Sequence, residues 1–342
     1  MYIPTIILAL LPLIQAAQYQ YPLTPSTLQQ PSIGFGTWNL DVSEENTTEA
    51  VAYAIEIGYR QIDCAAAYGN EGAVGRGIRE GLRRAGIGRG EVWVTGKLWC
   101  DCHGDEKSVE KGLNKTLEDL GLDYLDLYLM HWPVGFTTSG GKEEKKLDYT
   151  SHPHPPSYSP TLYQTWKSMI ALPKSRVLNI GVSNFSPAQL RSIISSTGVK
   201  PFAHQMELHP YLQQSSWVAT HKALGISLTA YSPLGNTNPT YDSRHKSIPA
   251  LLENQVLKEI AQERNCTMAQ VALKWGMGRG VSVIPKSSHR EWIRENLAAG
   301  EECELGYADL KRLRFVGRKW LARFNDPSRG WGVRLFERLD GV

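Results

Sequence analysis

The chain has 342 residues, 42% hydrophobic and 21% charged, with a formal net charge of +3 at pH 7. This composition is that of a globular protein and excludes a disordered chain. The length suits one large α/β barrel or two ordinary domains. No run of five like charges occurs, so nucleic-acid binding has no electrostatic footprint.

The largely apolar run from Ile3 to Ala17 comes first. It is shorter than the ~20 residues a spanning helix needs, so no stable membrane span is expected. Its length suits a signal-peptide core, with Ile14 and Ala16 at the two positions read before cleavage. Residues 1–17 are therefore expected to be a leader into the secretory pathway, delivering the protein to the endoplasmic reticulum lumen or outside the cell. A cytoplasmic protein with an unprocessed tail is the alternative. A barrel over residues 25–325 and a tail over 326–342 complete the expected organisation.

Short apolar runs then alternate with helical patterns, as in βαβ units around a parallel sheet. Eight strands are expected: Ile33–Trp38, Arg60–Cys64, Val92–Lys97, Leu125–His131, Leu178–Ser183, Phe202–Met206, Ser227–Tyr231 and Val281–Pro285. Between them lie helix starts with recognisable chemistry. Asn46 with Glu49 reads as an N-cap and its reciprocal partner, with Gly58 closing that helix. Ser186-Pro187 and the Thr267/Gln270 pair read as two more starts. Eight alternating strands predict a single-domain α/β fold of the (β/α)8 TIM-barrel kind. The open-sheet alternative needs Gly-x-Gly-x-x-Gly after an early strand. Gly34-Phe35-Gly36-Thr37 carries half of that pattern, and Gly86-Ile87-Gly88-Arg89-Gly90 precedes a strand and reads as a loop.

Five cysteines (Cys64, Cys100, Cys102, Cys266, Cys303) are odd in number and scattered, and are not expected to form a disulfide framework. Cys100-Asp101-Cys102-His103 has no second cluster at zinc spacing, so no metal site is expected. Sequons at Asn46, Asn114 and Asn265 matter only in a secreted protein. The Gly135–Pro160 segment follows a strand and is either a surface insertion or a lid over the barrel mouth.

Chemistry is suggested by the polar residues that end the apolar strands. Asp63, Lys97, His131, Asn184, Gln205, Tyr231 and Lys286 stand at or just past successive strand ends, where barrel enzymes place their active sites. Asp63, Tyr68, Lys97 and His131 form a chemically coherent set. A carbonyl accepting hydride needs a proton donor for its oxygen. A lysine beside a tyrosine is expected to lower the phenol from its usual value of about 10. An aspartate would hold that lysine, and a histidine would orient the carbonyl. None of the four supplies hydride, so a cofactor must.

Gly58-Tyr-Arg-Gln-Ile-Asp-Cys-Ala-Ala-Ala-Tyr-Gly-Asn-Glu71 resembles the signature of the aldo-keto reductase superfamily. Further matches are Gly96-Lys97-Leu98-Trp99, the Leu120–Pro133 stretch, Gly181-Val-Ser-Asn-Phe185, Gln205–Pro210, Ala230–Gly235 and Ile284-Pro-Lys-Ser287. The resemblance runs in order from Ile33 to Asn296. It implies a barrel that binds extended NADPH and reduces aldehydes or ketones, sugars among them. Tyr68 would be the acid/base, Lys97 its tuner, Asp63 the partner of Lys97, and His131 the residue that orients substrate.

The same resemblance places Ser183, Asn184 and Gln205 on the nicotinamide carboxamide and stacks Tyr231 on its ring. Ser232 and Leu234 fall on the pyrophosphate loop, Lys286 and Ser287 on the 2′-phosphate, and Glu295 and Asn296 on adenine. Thr37 is counted with this set, and Trp38, Trp99 and Trp132 with the substrate walls. Four departures stand out, one being a Gly135–Pro160 segment that is long for the family. Trp292 occupies the position of a usual arginine, flanked by Arg290 and Arg294, with Arg290 expected to assist at the phosphate. Moderate NADPH preference with measurable use of NADH follows. Leu172–Val177 is one residue shorter than usual, and Cys64 replaces a common threonine. The partner expected is a small carbonyl substrate. A regulatory or sensing barrel that binds cofactor and turns over slowly is the alternative function, disfavoured because all four residues of the set are present.

Overall fold

The computed structural model describes residues 29–40, 43–136, 160–237 and 247–336. The expected leader, most of the Gly135–Pro160 segment and residues 337–342 lie outside the described residues.

All eight expected strands form, shorter at some ends than the apolar runs that encode them. They are β1 (Phe35–Gly36), β2 (Gln61–Asp63), β3 (Trp93–Leu98), β4 (Leu125–Met130), β5 (Val177–Ser183), β6 (Ala203–Glu207), β7 (Ser227–Tyr231) and β8 (Val281–Val283). Each pairs with the next in one eight-stranded sheet, and every pairing is parallel. A parallel bridge between Ile33 and Val283 joins the first strand to the last, with the Gly34 N–H donating to the Val283 carbonyl at 2.8 Å. The curled sheet thus meets itself as an α/β barrel.

Side chains alternate across the strands, as the period of two requires. On β4, Leu127 and Leu129 join Trp93 and Ala203 in one cluster, while Tyr128 and Met130, on the other face, belong to the main core between sheet and helices. On β3 the residues in step with Trp93 are Thr95 and Lys97, so the alternation that plugs the barrel also carries the lysine to its mouth. Gly181 is required by closeness: a Cβ there would sit 2.4 Å from the Ala203 carbonyl oxygen on β6.

The helices are α1 (Glu44–Glu56), α2 (Glu71–Ala85), α3 (Glu106–Leu120), α4 (Pro160–Ile170), α5 (Pro187–Thr197), α6 (Ser215–Leu224), α7 (Gln255–Arg264), α8 (Met268–Met277), α9 (Arg290–Glu302), α10 (Tyr307–Lys319) and α11 (Ser328–Trp331). Ser186 and Thr267 cap α5 and α8 in full capping boxes with Gln189 and Gln270, as expected. The start of α1 is corrected. Ser43 is the cap and accepts from the Asn46 N–H at 3.0 Å, with Glu44 and Glu45 in the first turn favouring that end of the helix dipole.

The cysteine expectation is also corrected. Cys266, just before α8, and Cys303, just after α9, form a disulfide with Cα atoms 5.5 Å apart. They are separated by 37 residues, and only the packing of α8 on α9 reveals the pair. Among the described residues, no group of three or more His, Cys, Asp or Glu side chains is placed to hold a metal ion. None of their helices is long and apolar enough to cross a membrane.

Candidate active site

Asp63 ends β2, Lys97 lies next to last on β3, His131 follows β4, and Tyr68 closes a short turn just beyond β2. Neighbouring parallel strands in register bring them together. The wholly buried Lys97 ammonium donates to Asp63 Oδ1, to the Cys64 carbonyl at 3.1 Å and to the Tyr68 hydroxyl oxygen at 3.0 Å. Gln205 Nε2 donates to the other Asp63 oxygen at 2.6 Å. Both charges of the pair are therefore paired and hydrogen-bonded, the condition under which a buried ion pair survives. The Tyr68 and His131 rings meet edge to face at 5.7 Å, with Trp99 behind His131 at 5.3 Å.

The expected acidity of Tyr68 is reversed. Burial raises the hydroxyl well above its ordinary value, and the negative charge of Asp63 adds to the rise. The raised value leaves the proton on the Tyr68 hydroxyl. His131 is pushed well below its usual range by burial, then by Lys97 and His103, and is neutral. Its Nδ1 has no hydrogen-bond partner among the described residues.

Tyr68, Asp63 and His131 line a cavity of about 970 Å³. Asn184, Gln205, Tyr231, Ser232 and Leu234 also line it, as do Lys286, Ser287, Glu295 and Asn296. Asn184 holds a left-handed backbone at φ 63°; its amide donates to the His131 carbonyl and to Ser183 Oγ, both at 3.0 Å. Tyr231 OH donates to Asn184 Oδ1 at 2.7 Å. A nicotinamide dinucleotide fits this donor set. Side-chain amides and an aromatic ring stand near the acid, and the lining also offers a cation, a hydroxyl and the start of α9, a helix end that favours a phosphate.

The sequence profile of the Aldo/keto reductase family matches residues 32–316. The chain belongs to the aldo/keto reductase family. It is 44% identical over 306 residues to an uncharacterized oxidoreductase of Schizosaccharomyces pombe, covering 87% of this chain and 88% of that protein. It is 38% identical over 316 residues to the D/L-glyceraldehyde reductase of Hypocrea jecorina, covering 90% and 91%. The solved aldose reductase of Giardia lamblia superposes with a TM-score of 0.78 at 34% identity, over 90% of this chain and 98% of that one. Family and relatives together support an oxidoreductase.

Within this aldo/keto reductase, most of the expected site residues reach the cavity. Thr37, Trp38 and Trp132 line it, while Ser183, Lys97 and Trp99 stand one layer back. Arg290 is the exception and corrects the expectation for it. Its guanidinium pairs with Glu49 at 2.5 Å and lies over the Tyr53 ring, 4.4 Å from the centroid, because the start of α9 turns that face toward α1. Arg294 likewise donates to Tyr53 OH at 2.8 Å. His289 and the exposed Trp292 line the cavity instead, with ring centroids 4.3 Å apart.

Several wall residues were not legible as site residues. Phe324, Asn325, Asp326, Pro327 and Arg329 also line the cavity, although residues beyond 325 read as a tail. Trp331 packs edge-on against Trp132 at 5.1 Å and Trp99 at 6.1 Å. The one signal in the sequence is a group of apolar residues, Trp331, Leu335 and Phe336 among them, inside a polar terminus, which suggests burial without saying where.

Proposed function

We propose that this chain reduces aldehydes or ketones, sugars among them, with NADPH, and that Tyr68 donates the proton. The observation that carries this reading is the chain of hydrogen bonds from Gln205 through Asp63 and Lys97 to the Tyr68 hydroxyl, ending in the cavity beside a neutral His131. A bound nicotinamide dinucleotide would supply the hydride. Tyr68 gives its proton to the carbonyl oxygen as negative charge develops there. Lys97, already donating to the Tyr68 oxygen, stabilises the phenolate left behind, and Asp63 keeps Lys97 charged and aimed. Neutral His131 orients the carbonyl without competing as a proton source. Small hydroxyaldehydes are the first substrates to try, given the named activity of the Hypocrea jecorina relative.

The test is a carbonyl panel with NADPH and NADH on wild type and Tyr68→Phe. Loss of a general acid costs about 10²–10⁴-fold in rate. The variant should lose kcat on that scale for an unactivated aldehyde while keeping its cofactor affinity; retention of more than about a tenth of kcat would remove Tyr68 from this role.

Entry into the secretory pathway is part of the same reading. The apolar run at Ile3–Ala17, the disulfide and the exposed Asn46, Asn114 and Asn265 sequons support it. N-terminal sequencing of protein from a eukaryotic host should find a start near Ala17 or Gln18; a cytosolic product that still carries Met1 or Tyr2 would reject it.

A further inference from the structure

Behind the wall of the cleft, two histidines with no part in the proton transfer form a hydrogen-bonded chain. His204 lies on β6 beside Gln205, His221 lies on α6, and both are fully buried. The Phe185 N–H donates to His204 Nε2 at 3.1 Å. His204 Nδ1 and His221 Nε2 are 2.7 Å apart, and His221 Nδ1 is 2.7 Å from the Trp217 carbonyl. A backbone N–H at one end and a carbonyl at the other leave one neutral arrangement. His204 Nε2 must accept, so its proton is on Nδ1 and goes to His221; His221 then carries its proton on Nδ1 and gives it to Trp217. A further proton on either ring would set two donors against each other. Burial opposes that proton, lowering His204 well below its usual range and His221 to about 4. The Trp217 ring packs edge-on to both imidazoles, at 5.9 and 4.0 Å.

The end of this chain is what matters. Phe185 follows Asn184, whose left-handed backbone costs a non-glycine residue on the order of 1–3 kcal/mol and persists only when its surroundings over-determine it. The Asn184 N–H is held by the Gln205 carbonyl at 3.0 Å, and the Phe185 N–H by His204. We propose that the His204–His221 pair is a positioning device for the nicotinamide end of the cleft: His221 fixes the tautomer of His204, and His204 fixes the turn that presents Asn184. This rests on the reading of Ser183, Asn184 and Gln205 as the carboxamide-holding set.

The experiment compares two ligands by titration calorimetry, NADP+ and 2′-phospho-ADP-ribose, which lacks the nicotinamide. His221→Leu touches neither the cleft nor the Asn184 turn but deprives His204 of its acceptor. It should weaken NADP+ by about tenfold, the scale of one lost hydrogen bond, and leave 2′-phospho-ADP-ribose unchanged. His221→Gln, whose side-chain oxygen can accept from His204, should restore NADP+ binding. Equal weakening of both ligands, or of neither, overturns the proposal. Wild-type protein that binds NADP+ no tighter than 2′-phospho-ADP-ribose would instead overturn the carboxamide reading, and the proposal with it. Should His221→Leu not fold, ¹⁵N-histidine NMR of the wild type decides. Both rings must be neutral with the proton on Nδ1, and an Nε2–H tautomer at His204 overturns the assignment.

Discussion

At the scale of single residues, burial outweighs the nearby partners at Tyr68 and at Glu71. Tyr68 keeps its proton because burial and Asp63 oppose ionisation more than the lysine at 3.0 Å favours it. Glu71, the first residue of α2, shows the same rule. Burial raises its carboxyl to about 8, Asp119 adds to the rise, and Oε1 has no hydrogen-bond partner among the described residues. The folded value lies above the unfolded one, so the folded state holds the extra proton and stability falls as pH rises, until pH passes about 8. Glu71→Gln should match wild type near about pH 5 and be the more stable at about pH 8, read as melting temperature against pH. A wild type whose stability does not decline over that range would show that Glu71 ionises in the fold. On the proposed reading Lys286 is the cation that meets the 2′-phosphate of NADPH, since Glu49 holds Arg290. One charge-assisted contact corresponds to about ten- to a hundred-fold preference for NADPH. In kcat/KM for the two cofactors, Lys286→Met should abolish most of that preference and Arg290→Ala should leave it in place.

At the scale of elements, the end of β6 holds the C-terminal segment over the cavity. The buried Glu207 carboxylate accepts from the Phe324 N–H at 2.7 Å, the Asn325 N–H at 3.0 Å and His209 Nε2 at 2.9 Å. Burial alone would raise this acid; the hydrogen bond and charge of His209, the charge of Arg323 and the Phe324 N–H together outweigh it and leave the carboxyl below its usual value. A depressed folded value means that this anchor is in place above the usual carboxylate range and is lost as pH falls through the depressed value. Glu207→Ala orphans two backbone donors, each a penalty of about 1–3 kcal/mol if it stays buried, so the segment should detach to solvate them. The expected result is a raised KM for the carbonyl substrate with unchanged NADP+ affinity, because this segment lines the cavity and none of its residues is among those proposed to hold the dinucleotide. Equal loss of both would show that β6 itself had been disturbed.

At the scale of the whole molecule, the Cys266–Cys303 bridge ties the start of α8 to the end of α9, the helix that carries Glu295 and Asn296. Chain entropy for a 37-residue separation assigns it about 3–4 kcal/mol of stability. Cys303→Ser should therefore unfold at lower denaturant than the oxidised wild type and match the wild type under reductant, while a reductant-insensitive wild type would mean that the bridge does not form. The eight strands, the helix caps at Ser186 and Thr267 and the acid–lysine–tyrosine–histidine set were all legible from the sequence. The reason is that each is encoded locally, by period-two apolar runs, by residues three apart, or by polar residues at strand ends in a signature of fixed spacing. What the sequence could not decide were relations between distant segments. The disulfide depends on two helices packing, the pairing of Arg290 with Glu49 on the face that α9 turns toward α1, and the residues of the C-terminal segment on their return across the barrel mouth to Glu207. The protonation of Tyr68 belongs with these, because a pKa is set by what surrounds a group in space, and burial is a property of the folded chain alone.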